Sequence, residues 1–144
     1  MAVRNASAKW EGTLKEGAGT VKLGSGAFEG QYSFSTRFEE GTGTNPEELV
    51  GAALAGCYSM QLNVMLERNE TPADYVDTTA KVHLTKAEAG GFEISKIDLI
   101  TDAAVPGMDA ETFQQWAADA KAACLISKLY SGSTAEITLE ATLK

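Results

Sequence analysis

Histidine is almost missing from this 144-residue chain: there is one, His83, and only two cysteines, Cys57 and Cys124, accompany it. That shortage excludes a zinc constellation of ordinary ligand spacing. It leaves a cysteine–histidine hydrolase pair open only if His83 lies near Cys57. On an alternating stretch, His83 reads as a solvent-facing strand residue. The cysteines stand 67 positions apart, so there is no CxxC redox motif. No phosphate-binding loop or dinucleotide fingerprint is present either. Gly24-Ser25-Gly26 and Gly41-Thr42-Gly43 lack the downstream spacing and helix that such loops need. Basic residues are scarce, 12 against 20 acidic ones, for a net charge of −8. That balance argues against nucleic acid or an anionic membrane as partner, since both need a basic face. The longest apolar stretch, residues 49–65, is interrupted by Ser59, Gln61 and Asn63, so no membrane span is expected. No apolar segment follows Arg4, so no signal peptide is expected, and a cytoplasmic location is. In that compartment two cysteines are either inert core thiols or redox-active ones. Composition leaves both readings standing.

What is present describes an ordinary soluble domain. Hydrophobic residues make up 44% and charged residues 22%, and the length predicts one domain over residues 1–144. Alternation with glycine turns predicts strands over residues 8–12, 19–23 and 28–34. A helix over residues 46–67 has clear punctuation. Asn45 suits the N-cap, Pro46 the first helical position, and Glu48 the third, as in a capping box. Apolar residues from Leu49 to Leu66, Met60 and Met65 among them, surround most of this helix, which predicts a buried central element. Gly51, Ala52, Ala55, Gly56 and Ser59 leave room for another element to approach closely. Strands follow over residues 76–84 and 92–104. A second helix is expected over 110–124 with Asp109 as its cap, and residues 128–130 either extend it or turn. Phe113 and Trp116 read as core. A last strand covers residues 135–143. The order predicts an α+β fold, mostly antiparallel sheet around a long central helix and a second helix.

One segment carries chemistry. Asn45-Pro46-Glu47-Glu48-Leu49-Val50-Gly51-Ala52-Ala53-Leu54-Ala55-Gly56-Cys57-Tyr58-Ser59-Met60 resembles the signature of the osmotically inducible protein C and organic hydroperoxide resistance (OsmC/Ohr) family. Phe34-Ser35-Thr36-Arg37-Phe38 is similar to the arginine segment of the osmotically inducible branch. Asp119-Ala120-Lys121-Ala122-Ala123-Cys124, followed by Ser127, is similar to the second-cysteine segment. Trp10-Glu11-Gly12 and the final Ala135-Glu136-Ile137-Thr138-Leu139 fit as well, so the resemblance covers essentially the whole chain.

The resemblance implies an OsmC-like fold in an intertwined homodimer with active sites between subunits. It implies a cofactor-free, metal-free thiol peroxidase that reduces organic hydroperoxides in oxidative or osmotic stress defence, with hydrogen peroxide open as a second substrate. By matching position, Cys57 is the peroxidatic cysteine and Cys124 the resolving one. Arg37 is the activating cation, and Glu47 holds it. An external dithiol, lipoyl or another small thiol, is the implied reductant. Elementary chemistry agrees. Only a thiolate attacks the O–O bond. Cys57 lies too deep in its helix to gain from the dipole, and apolar burial raises its pKa, so a cation has to reverse the trend. A bidentate contact from Glu47 would anchor that cation. The chain departs from the family pattern at Leu125, where proline commonly follows the second cysteine. Without proline the helix has room to run on and to rotate or bury Cys124. Two other classes are compatible with the residues: a ligand-binding or structural dimer with vestigial thiols, and a cysteine hydrolase of small esters or thioesters.

Overall fold

A computed structural model describes residues 1–133 and 135–144, and the chain divides into two compact units, Met1–Leu49 and Val50–Lys144. In the first, β1 (Ala6–Glu11), β2 (Ala18–Leu23) and β3 (Glu29–Ser33) form an antiparallel meander in the order β1-β2-β3. The third strand ends sooner than its apolar alternation predicts, because Ser33 turns the chain into a short helix, α1 (Phe34–Phe38). Ser33 Oγ accepts from the Thr36 N–H, and Thr36 Oγ1 accepts from the Ser33 N–H, a complete capping box. The loop after α1 passes close over the end of β3 at Gly43. That residue has φ +141°, and a Cβ there would sit 2.6 Å from Gln31 O. This unit closes with the first turn of α2 (Pro46–Arg68).

That turn is capped as its sequence predicts: Asn45 Oδ1 accepts from the Glu48 N–H at 2.8 Å. The reciprocal half of the capping box is replaced, since Glu48 Oε2 accepts from Thr44 Oγ1 instead. Asn45 Nδ2 donates to Thr36 O at 3.1 Å, tying the cap back to α1.

In the second unit, β4 (Tyr75–Lys86), β5 (Phe92–Ala104) and β6 (Glu136–Leu143) form a sheet in the order β4-β5-β6. The β4–β5 pair is antiparallel with a register shift at His83/Leu84. The β5–β6 pair is parallel, so the chain must cross over between them. The crossover consists of α3 (Ala110–Ala123) and α4 (Leu125–Tyr130). Leu54, Tyr58, Leu62 and Leu66, at helical i, i+4 spacing, form one face of α2 and are fully buried. They share a core with Ile97, Leu99 and Ala103 of β5 and Phe113, Ala117, Ala120 and Cys124 at the sheet-facing side of α3. Each leucine contributes roughly 1.5–3 kcal/mol by leaving water. Gly51 lets α2 close on β4, where a Cβ would lie 3.1 Å from Val82 Cγ2. Ser59 donates to Thr78 Oγ1, which bonds Thr101, so the polar groups beneath the helix are paired.

Two expectations for α2 need correction. Its apolar circumference does not mean burial all round: Met60 is 72% exposed, and Ala52, Ala53, Gly56 and Val64 share its uncovered side. The reason is geometric, since one sheet and one helix of this chain cover only one face. By length and hydropathy alone the helix is also sufficient to cross a membrane, which its polar interruptions had argued against. Its Leu54–Leu66 row instead belongs to the protein core. Phe113 is buried as expected, and Met65 and Trp116 pack against the core partly buried.

Candidate active site

The sequence-predicted residues come together as two pairs. In the first unit, α1 presents Arg37 and the first turn of α2 presents Glu47. Arg37 Nε donates to Glu47 Oε1 at 2.9 Å, and Nη2 lies 2.8 Å from the same oxygen. The expected fork of two N–H groups onto two oxygens is therefore a fork onto one. Glu47 Oε2 is buried without a hydrogen-bond partner among the described residues. The guanidinium also lies over the Phe38 ring, 5.2 Å from its centroid. Glu47 is 8% exposed, whereas the Arg37 side chain is 41% exposed. The contact uses two of the five guanidinium N–H donors.

In the second unit, Cys57 and Cys124 face each other with Cys124 Sγ donating to Cys57 Sγ at 2.8 Å. Both are free thiols, Cys57 half-buried and Cys124 fully buried. A disulfide between them needs the sulfurs to close to about 2.03–2.05 Å. Cys124 is placed by the break between α3 and α4. Its N–H donates to Ala120 O, ending one helix, and its carbonyl accepts from Lys128 N, starting the next. Leu125 therefore does not let the helix run on. Cys124 has φ −57° and ψ 128°, the extended conformation that a following proline would impose. The cysteine is buried, and yet it is turned toward its partner.

Ionisation of the two thiols is linked. Burial pushes Cys57 up, and the hydrogen bond with Cys124 pushes it further, against small opposing contributions from the Ile126 and Leu125 backbone. Burial also raises Cys124, but the Cys57 sulfur beside it, Ser127 and the Ile126 backbone bring it below its ordinary value. Among the described groups acting on Cys57 in its own unit, none is a cation.

Ser127 is a position of the second-cysteine segment to which the sequence assigns no role. It is 6% exposed, and its hydroxyl has no partner among the described residues. It is nevertheless near enough to Cys124 to favour that thiolate. In the dithiol state Cys124 Sγ is directed at Cys57, so the hydroxyl has the neighbour without an aligned contact. A buried hydroxyl left unpaired costs about 1–3 kcal/mol. The spacing from an N-cap cysteine to the third helical position was the available signal. His83 lies where its alternation predicted, on the exposed face of β4, and pairs with Asp98 at 2.7 Å. It is turned away from the face on which α2 packs, so no cysteine–histidine pair is built. Among the described residues no cluster of metal-ligating side chains occurs.

Residues 39–140 match the family model described as OsmC-like protein. Over 143 residues the chain is 50% identical to the peroxiredoxin OsmC of Escherichia coli strain K12, covering 98% of this chain and 96% of that protein. The chain belongs to the OsmC-like family. Among solved structures, an OsmC-like protein of unknown function from Vibrio cholerae matches with a TM-score of 0.76 at 18% identity, covering 98% of this chain and 99% of that one. An organic hydroperoxide resistance protein from Elizabethkingia anophelis matches with a TM-score of 0.73 at 25% identity, covering 99% of each chain. The OsmC-like fold expected from the sequence is thus the fold observed, as α+β architecture with two three-stranded sheets.

Proposed function

We propose that this OsmC-like protein is a thiol-dependent peroxidase that reduces organic hydroperoxides, with hydrogen peroxide as a second substrate. The observation that carries the reading is the approach of two free thiols to 2.8 Å at a helix break built to hold one of them. In this reading the Cys57 thiolate attacks the distal peroxide oxygen, the alcohol leaves, and Cys57 becomes a sulfenic acid. Cys124 then attacks the sulfenic sulfur, water leaves, and a Cys57–Cys124 disulfide forms. An external dithiol, lipoyl or another small thiol, reopens it. The name of the Escherichia coli relative, peroxiredoxin, supports the activity.

Cys57 needs a cation to ionise, because burial and Cys124 both oppose it. Arg37, held by Glu47, is the proposed supplier, and it also donates to the departing oxygen as charge develops there. The proposal takes each complete site from two chains of a homodimer, as the family resemblance implies. The uncovered apolar side of α2, with Met60 and Val64, supports a second copy as its cover. The chain is read as a single domain and as cytoplasmic.

The deciding experiment measures peroxide consumption with a dithiol reductant in wild type, Cys57→Ser and Cys124→Ser. Turnover should vanish in Cys57→Ser. Oxidised without reductant, Cys124→Ser should complete one stoichiometric turnover and stop at the Cys57 sulfenic acid, with no intramolecular disulfide. Equal turnover in wild type and Cys57→Ser would overturn the reading.

A further inference from the structure

The thiol cycle just proposed, on which this inference rests, leaves open how the disulfide is reopened. The two sulfurs differ in access: Cys124 has no exposed surface, while Cys57 is half-buried. An incoming thiolate therefore reaches Cys57, and Cys124 is the sulfur that must leave. A thiolate released into a buried site needs donors, because water is not there to supply them. Ser127 stands three residues after Cys124, in the first turn of α4, itself buried and with no partner for its hydroxyl among the described residues. Native proteins rarely leave such a group unpaired, and a redox role is one reason they do.

We propose that Ser127 is a positioning residue for the reductive half of the cycle, its hydroxyl donating to the Cys124 thiolate as that sulfur leaves. The step balances as a thiol–disulfide exchange. The reductant thiolate forms a bond to Cys57 Sγ, the Cys57–Cys124 bond breaks, and its electron pair goes to Cys124 Sγ. Ser127 donates a hydrogen bond and transfers no proton. The second thiol of the dithiol then attacks the reductant sulfur of the mixed disulfide and releases Cys57. The dithiol ends as a disulfide, and its two protons end on the cysteines. A lower leaving-group pKa speeds such an exchange, and the part that Ser127 plays in lowering Cys124 agrees with that role.

The test separates the half-reactions in the full-length protein. Wild type, Ser127→Ala and Ser127→Thr are oxidised by one equivalent of tert-butyl hydroperoxide, and the disulfide is then reduced by dithiothreitol across a pH series. Ser127→Ala should oxidise within about twofold of wild type and be reduced about tenfold more slowly, the weight of one hydrogen bond to a charged sulfur. Ser127→Thr, which keeps the hydroxyl, should recover most of that loss. A monothiol added to oxidised wild type should be found by peptide mass mapping on Cys57. A mixed disulfide on Cys124, an unchanged reduction rate in Ser127→Ala, or equal loss in Ser127→Ala and Ser127→Thr would each overturn the inference. The absence of any Cys57–Cys124 disulfide in oxidised wild type would instead overturn the underlying cycle. The mapping on wild type needs no variant to fold.

Discussion

Glu47→Gln tests whether the carboxylate acts by holding Arg37. The substitution keeps the shape and one oxygen acceptor, and it removes the charge. Two N–H groups converge on Oε1 at 2.8 and 2.9 Å. Hydrogen bonds to charged groups contribute about 1.5–3 kcal/mol when well buried. With Arg37 41% exposed, solvent screening moves the pair toward the 0.2–1 kcal/mol typical of exposed ion pairs, roughly. A value of about 1–2 kcal/mol for the whole contact follows, which corresponds to a factor of about 5–30 in how firmly the guanidinium is held. Glutamine retains a neutral acceptor and should forfeit the lower end, so kcat/KM for tert-butyl hydroperoxide should fall about fivefold. Glu47→Ala forfeits the whole contact and should fall toward 30-fold, roughly. Each kilocalorie lost from the fold should cost only about 2–4 °C in Tm. The assay is steady-state peroxide consumption at saturating dithiol, paired with the rate of Cys57 alkylation by iodoacetamide. Both readouts should fall together. In an Arg37→Gln background the Glu47 substitutions should add almost nothing, because the group they position is gone. A full further loss in that background would refute the reasoning that Glu47 works through Arg37.

Leu125→Pro should raise Tm, since Cys124 already has pre-proline dihedrals and Leu125 occupies the first position of α4 with 73% exposure; a gain of about 0.4–1 kcal/mol is the usual scale. The same change removes the Leu125 N–H, one of the groups that lower Cys57, so alkylation of Cys57 should shift to higher pH. Met60→Asp places a charge on the uncovered apolar side of α2. Light scattering should show wild type at twice the 15.2 kDa chain mass and the variant shifted toward single chains. The Asp98 carboxyl is held well below its ordinary range, by Lys96 first and then by Thr138 and His83. Its stabilising contribution is complete above the unfolded value near 3.8 and is lost as pH falls below it toward the folded value. Asp98→Asn should therefore lower Tm at about pH 7, and the two Tm curves should draw together only as pH falls from the unfolded value toward the much lower folded one.

Local rules reached furthest where a feature is set by neighbours in sequence. The start of α2 was legible because Asn45, Pro46 and Glu48 each satisfy a backbone need within four residues, and the Asn45–Glu48 bond is present. The strand spans were legible from alternation, and so was the outward placement of His83. Helix α1 was not, because Phe34-Ser35-Thr36-Arg37-Phe38 is too short for a 3.6-residue period to register against strand alternation. Its only signal was the Ser33/Thr36 box, which has the spacing of a cap but no apolar run after it. Parallel pairing of β5 with β6 was likewise outside local reach, since it depends on where two intervening helices deliver the chain.

The candidate site shows the same division in sharper form. The Arg37–Glu47 contact joins residues ten apart, and the motif named both. The helix break at Cys124 did not depend on the residue that usually marks it. Proline makes such a break by removing an N–H and restricting its predecessor. Here Leu125 does neither. Two backbone bonds on opposite sides of Cys124 and a fully buried side chain hold the same conformation instead. A sequence pattern records the cheapest device for a geometry, so the loss of that device reads as the loss of the geometry. Packing can maintain the geometry without it, at the cost of depending on more distant residues. Leucine at this position then adds something proline cannot, a backbone donor beside Cys57. The departure from the family pattern is therefore a change in how the two sulfurs are served, and Cys124 remains within reach of Cys57.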